Sequence, residues 1–175
     1  MVYDPFHERI SLAEPLETRR GHIARYQLAA GWLRSNDLVY DATCGVGYGR
    51  AILEERGPIR YHGVDRALDF IEVPNDGAFE AQDLELWHGP AERPDVVVGF
   101  ETLEHLVDPG AYISWTSRAR LLFLSIPLYP TAHVNPHHKH DYTTGDVERF
   151  YANMRQVAYF WQPAEQSGIW VLASE

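Results

Sequence analysis

The stretch VYDATCGVGYGR (residues 39–50) runs from an apolar segment through one aspartate into three glycines at alternate positions. Gly45, Gly47 and Gly49 predict a tight turn in which the backbone comes close to a ligand or to another segment. Their spacing differs from the Gly-x-Gly-x-x-Gly pattern that binds a pyrophosphate, which disfavours a nicotinamide-dependent oxidoreductase. Asp41, at the end of the apolar segment, favours a cation. We therefore expect a ligand that carries positive charge and no phosphate.

Short apolar runs alternate with turn signals and helical stretches along most of the chain. Such alternation is typical of βαβ units, and so of an α/β fold with a mostly parallel sheet and helices on both faces. In the tail, a helix capped by Thr143 or Thr144 precedes two β runs that are close enough to pair only antiparallel. Strands are predicted over 37–43, 59–65, 77–83, 94–100, 120–127, 156–162 and 168–175, helices over 48–56 and 104–119, a short turn near 66–71, and a helical apolar stripe within 20–35.

Composition limits the class of protein. The 175 residues carry a formal net charge of −10 and one cysteine, Cys44. The negative charge opposes binding to a phosphate backbone, so a nucleic-acid partner is disfavoured. With no disulfide, no signal peptide and no apolar run of about 18 residues, we predict a cytoplasmic protein without a membrane segment. We expect a single domain over residues 1–175, in which residues 1–36 form an N-terminal helical cap region.

Two further aspartates end predicted strands beside the glycine turn. Asp65 ends the second strand, about twenty residues after the glycines, where a carboxylate can accept hydrogen bonds from both hydroxyls of a ribose. Asp83 ends the third strand, where an acceptor can meet the exocyclic amine of adenine. Each of these aspartates could alternatively cap the helix that follows it. Taken together with Asp41, they describe an adenosine with a positively charged substituent and no phosphate.

Through VYDATCGVGYG, YHGVD, EAQD and FETLEHLVDP, in that order, the chain resembles the class I S-adenosylmethionine (SAM)-dependent methyltransferases. The resemblance implies a Rossmann-like seven-stranded sheet of order 3-2-1-4-5-7-6, with strand 7 antiparallel. It also implies a set of residues that bind the cofactor. Within this set, Cys44 has no His or Lys beside it in sequence to lower its pKa, so we expect a small loop residue rather than a nucleophile. The residues of this set are Asp41, Cys44, Gly45, Gly47, Gly49, Asp65, Arg66, Asp83, Leu84 and Glu101.

The segment ETLEHL follows the apolar fourth strand. If a helix begins near Glu101, then Glu101, Glu104 and His105 lie on one helical face and can hold Mg, Mn, Fe or Co. The alternative is structural, because acidic residues also stabilise a helix start. The segment after the fifth strand supplies a candidate fourth ligand, His138, with His137 and His140 as substitutes. This segment also contains His133, and the aromatic residues Tyr129, Tyr142, Tyr151 and Trp161 are candidates either for an acceptor pocket or for the core.

These residues also resemble those of two methyltransferase subgroups. Small-RNA 3′-terminal ribose 2′-O-methyltransferases and sugar- or polysaccharide-associated O-methyltransferases share the Glu-x-x-Glu-His pattern, and the first subgroup implies a metal held by Glu101, Glu104, His105 and His138. Because the chain is acidic, we expect O-methylation of a sugar or small molecule, with Glu104, His105 and His138 as catalytic residues and a divalent metal as a possible aid. The alternatives are an RNA 2′-O-methyltransferase and a non-catalytic partner protein that binds the cofactor.

Overall fold

The computed structural model describes residues 9–175, so the first eight residues of the predicted cap region 1–36 lie outside the described part. A seven-stranded sheet has the order β3-β2-β1-β4-β5-β7-β6. Strands β1 to β5 pair in parallel, and β7 is antiparallel to both β5 and β6. The predicted fold class and strand order are therefore confirmed. The strands are β1 (Leu38–Ala42), β2 (Arg60–Asp65), β3 (Phe79–Ala81), β4 (Val96–Phe100), β5 (Leu121–Pro127), β6 (Met154–Gln162) and β7 (Ser167–Ser174).

Helices cover both faces of the sheet. Helices α1 and α2 pack on one face around Tyr26, Leu53 and Phe123. Helices α3 and α4 pack on the other face, where Trp115 and Trp170 are among the largest buried side chains. None of the described helices has the length and apolar character that a membrane span requires. The helices are α1 (Leu16–Ala30), α2 (Gly49–Leu53), α3 (Gly110–Thr116) and α4 (Thr144–Phe150), with single 3₁₀ turns at Glu54–Arg56 and Leu103–His105.

The inner strands are buried and mostly apolar because helices cover them on both sides. All seven residues of β5 are buried, and so are the first four of β4. The helix predicted near Thr143 begins as expected, since the Thr143 side chain and Asp146 form a reciprocal capping box. Strands β4 and β5 are parallel neighbours at the centre of the sheet, so their carboxyl ends lie side by side.

Two predicted elements differ from the structure. The helix predicted over 104–119 is confirmed only in its second half, because a single 3₁₀ turn ends at His105 and α3 covers Gly110–Thr116. Pro109 precedes α3, and the residue before a proline is disfavoured in the helical conformation. The strand predicted over 77–83 is reduced to three residues, Phe79–Ala81, at the edge of the sheet.

Candidate active site

The three glycines of the turn after β1 serve different purposes. Gly45 has a φ of +57°, and a β-carbon built on it would meet no atom within 4 Å. At Gly47 a β-carbon would lie 2.8 Å from a Val73 side-chain atom, and at Gly49 it would lie 2.3 Å from the Tyr26 ring. Side chains therefore pack closely against Gly47 and Gly49, and Gly47 also has a left-handed φ of +89°. Gly45 alone presents bare backbone to open space.

Asp65 lies directly beside Gly45 at the carboxyl end of β2. The Gly45 N–H donates to its Oδ2 at 3.0 Å, and the Ala67 N–H donates to its Oδ1 at 3.3 Å. The Arg9 guanidinium forms an ion pair with the same Oδ1. The structure thus brings two predicted cofactor residues together, and it adds Arg9, which the sequence pattern did not indicate.

Asp41 is buried at the end of β1, and both of its oxygens accept hydrogen bonds from tyrosines. The Tyr26 hydroxyl lies 3.0 Å from Oδ1, and the Tyr61 hydroxyl lies 2.9 Å from Oδ2. Burial raises the pKa of Asp41 to about 7, against the lowering effect of the two hydrogen bonds. The carboxylate therefore contacts α1 and β2, and a direct contact with a cofactor stays a prediction.

The remaining predicted cofactor residues occupy varied positions. Asp83 lies two residues beyond the end of β3, is exposed, and accepts a hydrogen bond from the Glu85 N–H at 3.1 Å. Leu84 is buried in the core, and Arg66 is exposed beside Asp65. Cys44 is buried, and burial raises the pKa of its thiol, which agrees with a loop residue rather than a nucleophile.

Glu101 follows β4 in a left-handed conformation, with a φ of +50°. Its Oε1 accepts a hydrogen bond from Ser125 Oγ at 2.7 Å and lies 3.5 Å from Arg25 Nη2, while Ser167 Oγ donates to its Oε2 at 3.3 Å. Arg25, only 1% exposed, is held in turn through its Nε by Gln162 at 2.8 Å. The sequence pattern did not indicate Arg25, which lies on the buried side of α1.

Glu104, His105 and His138 come together, with candidate ligand atoms all within 4.8 Å of one another. The two imidazole rings are 4.6 Å apart at their centroids, and Glu104 is buried. Burial is the main reason that the pKa of His105 is lowered to about 4, so its imidazole is neutral near pH 7. The structure does not bring Glu101 into this group, because the backbone between them forms a 3₁₀ turn instead of the expected helix.

The segment after β5 folds back so that only one of its histidines, His138, contributes a candidate ligand atom to this group, while the His137 backbone forms a hydrogen bond with His105. Asp141 accepts hydrogen bonds from the Thr131 and Ala132 N–H groups at 2.7 and 2.9 Å, and Thr131 Oγ1 lies 2.6 Å from His138 Nδ1. The Lys139 N–H donates to the Glu104 carbonyl at 2.6 Å. His133, His137 and His140 stay outside the group.

The four candidate aromatic residues divide between the core and the surface. Tyr151 is buried, and its hydroxyl lies 3.0 Å from Thr116 Oγ1, while Tyr142 packs against the core beside His140. Tyr129 and Trp161 are exposed. Of the four, therefore, Tyr129 and Trp161 have the most surface available to a ligand, and Tyr142 is half-buried.

Thr43 was not indicated by the sequence, yet its φ is +71°, a conformation that is unfavourable for a β-branched residue. Its hydroxyl lies 2.7 Å from that of Thr102. Thr43 follows β1 and Glu101 follows the neighbouring β4, so two left-handed residues other than glycine stand at adjacent strand ends. Such strain is common at functional sites.

A cavity of about 640 Å³ opens beside the glycine turn. Val46 of the turn lines it on one side, and Arg9, Phe70 and Glu72 are among the residues on the other sides. Small-molecule sites in proteins are typically about 300–1,000 Å³. The cavity is therefore large enough for a nucleoside-sized ligand. Arg9, which lines it, pairs with Asp65, but Asp65 and Gly45 are not among the lining residues.

A family model described as a methyltransferase domain matches residues 16–168. No curated protein matches the chain at a significant level. The chain is similar in fold to magnesium protoporphyrin IX methyltransferase from Synechocystis with bound S-adenosylhomocysteine (SAH), with a TM-score of 0.70, 20% identity and coverage of 95% of this chain and 90% of that one.

Two further solved structures share the fold. N-methyltransferase NodS from Bradyrhizobium japonicum, in complex with SAH, matches with a TM-score of 0.66, 16% identity and coverage of 93% of this chain and 89% of that one. A chain of the Haloferax volcanii complex between the Trm112 methyltransferase activator and a methyltransferase matches with a TM-score of 0.74, 14% identity and coverage of 91% and 92%. Because the family model spans most of the residues, the chain belongs to the methyltransferase-domain family, as its strand order and glycine turn indicate.

Proposed function

We propose that the chain uses SAM to methylate a hydroxyl group of a sugar or another small molecule. Three features at the carboxyl ends of the parallel strands support this proposal. They are the bare backbone at Gly45, the Asp65 carboxylate beside it, and the Glu104–His105–His138 group after β4. The first two suit a ribose and its substituent, and the third suits the proton of an acceptor. Two of the similar structures hold SAH, which supports the choice of donor.

The chain's own residues would act mainly by positioning. When bound, SAM supplies a methyl group that its sulfonium has already activated. Alignment of the reacting atoms can contribute about 7–11 kcal/mol, whereas a general base adds about 10²–10⁴-fold in rate, or about 3–5 kcal/mol. A base becomes important for a hydroxyl acceptor, which must lose its proton as it attacks. The His105 imidazole is neutral near pH 7 and can accept a hydrogen bond from that hydroxyl, while its pKa of about 4 makes it a weaker base than an ordinary histidine.

The same group also fits a divalent cation. Two imidazoles and one carboxylate are a donor set that favours Mn, Fe or Co over Mg, which prefers oxygen ligands. Glu101 was also predicted as a ligand, but it pairs with Arg25, whose positive charge opposes a second cation there. We therefore propose that Glu104, His105 and His138 would hold the metal, which would lower the pKa of a coordinated acceptor hydroxyl.

Methyl transfer from labelled SAM to a panel of sugars, small-molecule alcohols and short RNAs tests this proposal, with and without a chelator. We expect Glu104→Gln and His138→Ala to lower the rate by at least about 100-fold, in the range that loss of a base or metal ligand produces. His133→Ala is the matched control, because His133 lies in the same segment but outside the group. Its rate should equal that of the wild type.

The outcome of this assay also separates the alternatives. Transfer to the 3′-terminal ribose of RNA alone would replace the small-molecule acceptor with the RNA alternative. SAH binding in calorimetry without transfer to any acceptor would favour a non-catalytic partner protein. Equal rates for the wild type, Glu104→Gln and His138→Ala would contradict the assigned catalytic group.

A further inference from the structure

Residues 9–14, here called the strap, line part of the cavity beside the glycine turn and are held at two points. Ser11 Oγ donates to Glu72 Oε1 at 2.7 Å, and the Leu12 N–H donates to Glu72 Oε2 at 2.6 Å. Arg9 pairs with Asp65 and lies 4.8 Å from the centroid of the Phe70 ring. The strap thus joins the loop after β2 to the carboxylate at the end of β2.

We propose that Arg9 acts as an internal competitor for Asp65: its guanidinium occupies the carboxylate that the cofactor's ribose needs, and it must leave when the cofactor binds. This inference rests on the proposed function, in which Asp65 binds the ribose hydroxyls. The strap then lowers the affinity for the cofactor until Arg9 is displaced, and it makes Arg9 a residue that sets the binding rate.

The environment of Asp65 supports competition rather than joint binding. Asp65 is only 5% exposed. Its Oδ2 accepts from the Gly45 N–H, and its Oδ1 accepts from the Ala67 N–H in addition to Arg9. A carboxylate has about four lone-pair sites, and two ribose hydroxyls need two of them with open access. With three donors in place and the carboxylate covered, that access is created when the Arg9 side chain moves away.

The contact of Arg9 is suited to being exchanged. Its side chain is 23% exposed, and no described residue accepts a hydrogen bond from its buried Nε. The pair with Asp65 therefore satisfies only part of the guanidinium's hydrogen-bonding capacity, and the unpaired buried Nε–H costs free energy of folding. Because Ser11 and Leu12 are held separately by Glu72, the Arg9 side chain can swing out while the rest of the strap stays attached.

Competition of this kind has a defined effect on binding. If only a fraction of molecules has Asp65 open, the apparent dissociation constant rises by the inverse of that fraction. Removal of the guanidinium should restore the open fraction, so the variant should bind more tightly than the wild type. A residue that contacts the bound cofactor would have the opposite effect, which gives the proposal a clear sign.

Calorimetry and stopped-flow binding with SAH test this sign. We expect Arg9→Met to tighten SAH binding by about threefold to tenfold and to raise the association rate by a similar factor, as release of a partly buried ion pair allows. Arg9→Lys, which keeps the charge but loses the planar contact with Phe70, should fall between Arg9→Met and the wild type. Arg60→Met is the matched control, since Arg60 pairs with Glu92 at the opposite end of β2 and should leave SAH affinity unchanged.

A second ligand, the SAH analogue without the two ribose hydroxyls, tests the mechanism. The analogue has no ribose hydroxyls to bind Asp65, so Arg9→Met should bind it no more tightly than the wild type does. A gain that persists with the analogue, or SAH binding that is equal or weaker in Arg9→Met, would overturn the internal competition while leaving the proposed function intact. Failure of both the wild type and Arg9→Met to bind SAH would overturn the proposed function itself.

Discussion

Asp41 shows at the scale of one residue how burial sets a charge state. Its carboxylate is surrounded by the hydroxyls of Tyr26 and Tyr61, and burial raises its pKa to about 7. Two hydrogen bonds favour the charged form, but they recover only part of the lost hydration. Near neutral pH the carboxylate below the glycine turn is therefore divided between charged and protonated forms.

Because the native state binds this proton more tightly than the unfolded chain, Asp41 contributes stability that is complete below pH 3.8 and is lost as pH rises to about 7. Relative to the wild type, Asp41→Asn should gain stability over that interval, on the order of 4 kcal/mol at about 1.4 kcal/mol per pKa unit. Urea unfolding of both proteins from about pH 4 to about pH 8 measures the difference.

The quantity to follow is the difference in unfolding free energy between the wild type and Asp41→Asn. Buried imidazoles change the stability of each protein with pH in the direction opposite to Asp41. Burial lowers the pKa values of His22 and His105 to about 4, and their stabilising effect is lost as pH falls from 6.5 toward that value. Both imidazoles are present in Asp41→Asn and cancel in the comparison. Parallel pH profiles for the wild type and Asp41→Asn would contradict the raised pKa.

At the scale of elements, α1 covers the carboxyl ends of β1 and β4. Tyr26 of α1 bonds to Asp41, and Arg25 of α1 pairs with Glu101. The Tyr26 ring also packs on Gly49, the first residue of α2. The position of α1 is therefore set by contacts with the same turn that the cofactor is proposed to use.

Two glycine substitutions separate packing from binding in this region. Gly49→Ala should destabilise the fold by about 1–3 kcal/mol, because its β-carbon would overlap the Tyr26 ring. Gly45→Ala should cost only about 1 kcal/mol, from its left-handed backbone, yet should weaken SAH binding more strongly. Thermal unfolding measures the stability of both variants, and calorimetry measures their affinity for SAH. A larger loss of SAH affinity in folded Gly49→Ala than in Gly45→Ala would contradict the prediction.

At the scale of the whole molecule, ligand binding and folding are linked. A ligand that binds only the native state at 100 times its dissociation constant adds about 2.7 kcal/mol of stability. For a chain of this length that corresponds to a rise in Tm of about 5–10 °C. We expect SAH to produce this rise in scanning calorimetry. ATP should produce none, because the carboxylates of Asp41 and Asp65 at the strand ends would oppose its phosphates. An equal rise with ATP would contradict a site built for a ligand without phosphate.

Much of the fold could be predicted from local patterns. The alternation of apolar runs and turn signals indicated the strands, and the glycine turn with Asp65 indicated the crevice. The segment from Glu101 to Gly110 could not be predicted in the same way, because two competing conformations fit its pattern of residues. A helix would have placed Glu101 with His105, whereas Pro109 favours a short turn that separates them.

The sequence by itself determined the order of elements and the residue types at the strand ends, since hydrophobic periodicity and turn chemistry act between near neighbours. Only the tertiary structure decided which of those residues meet. Arg25 with Glu101 and Arg9 with Asp65 are each far apart along the chain, and neither pair was indicated by the sequence. Such pairs depend on how α1 and the strap pack over the sheet, and packing between distant segments leaves no mark in local sequence.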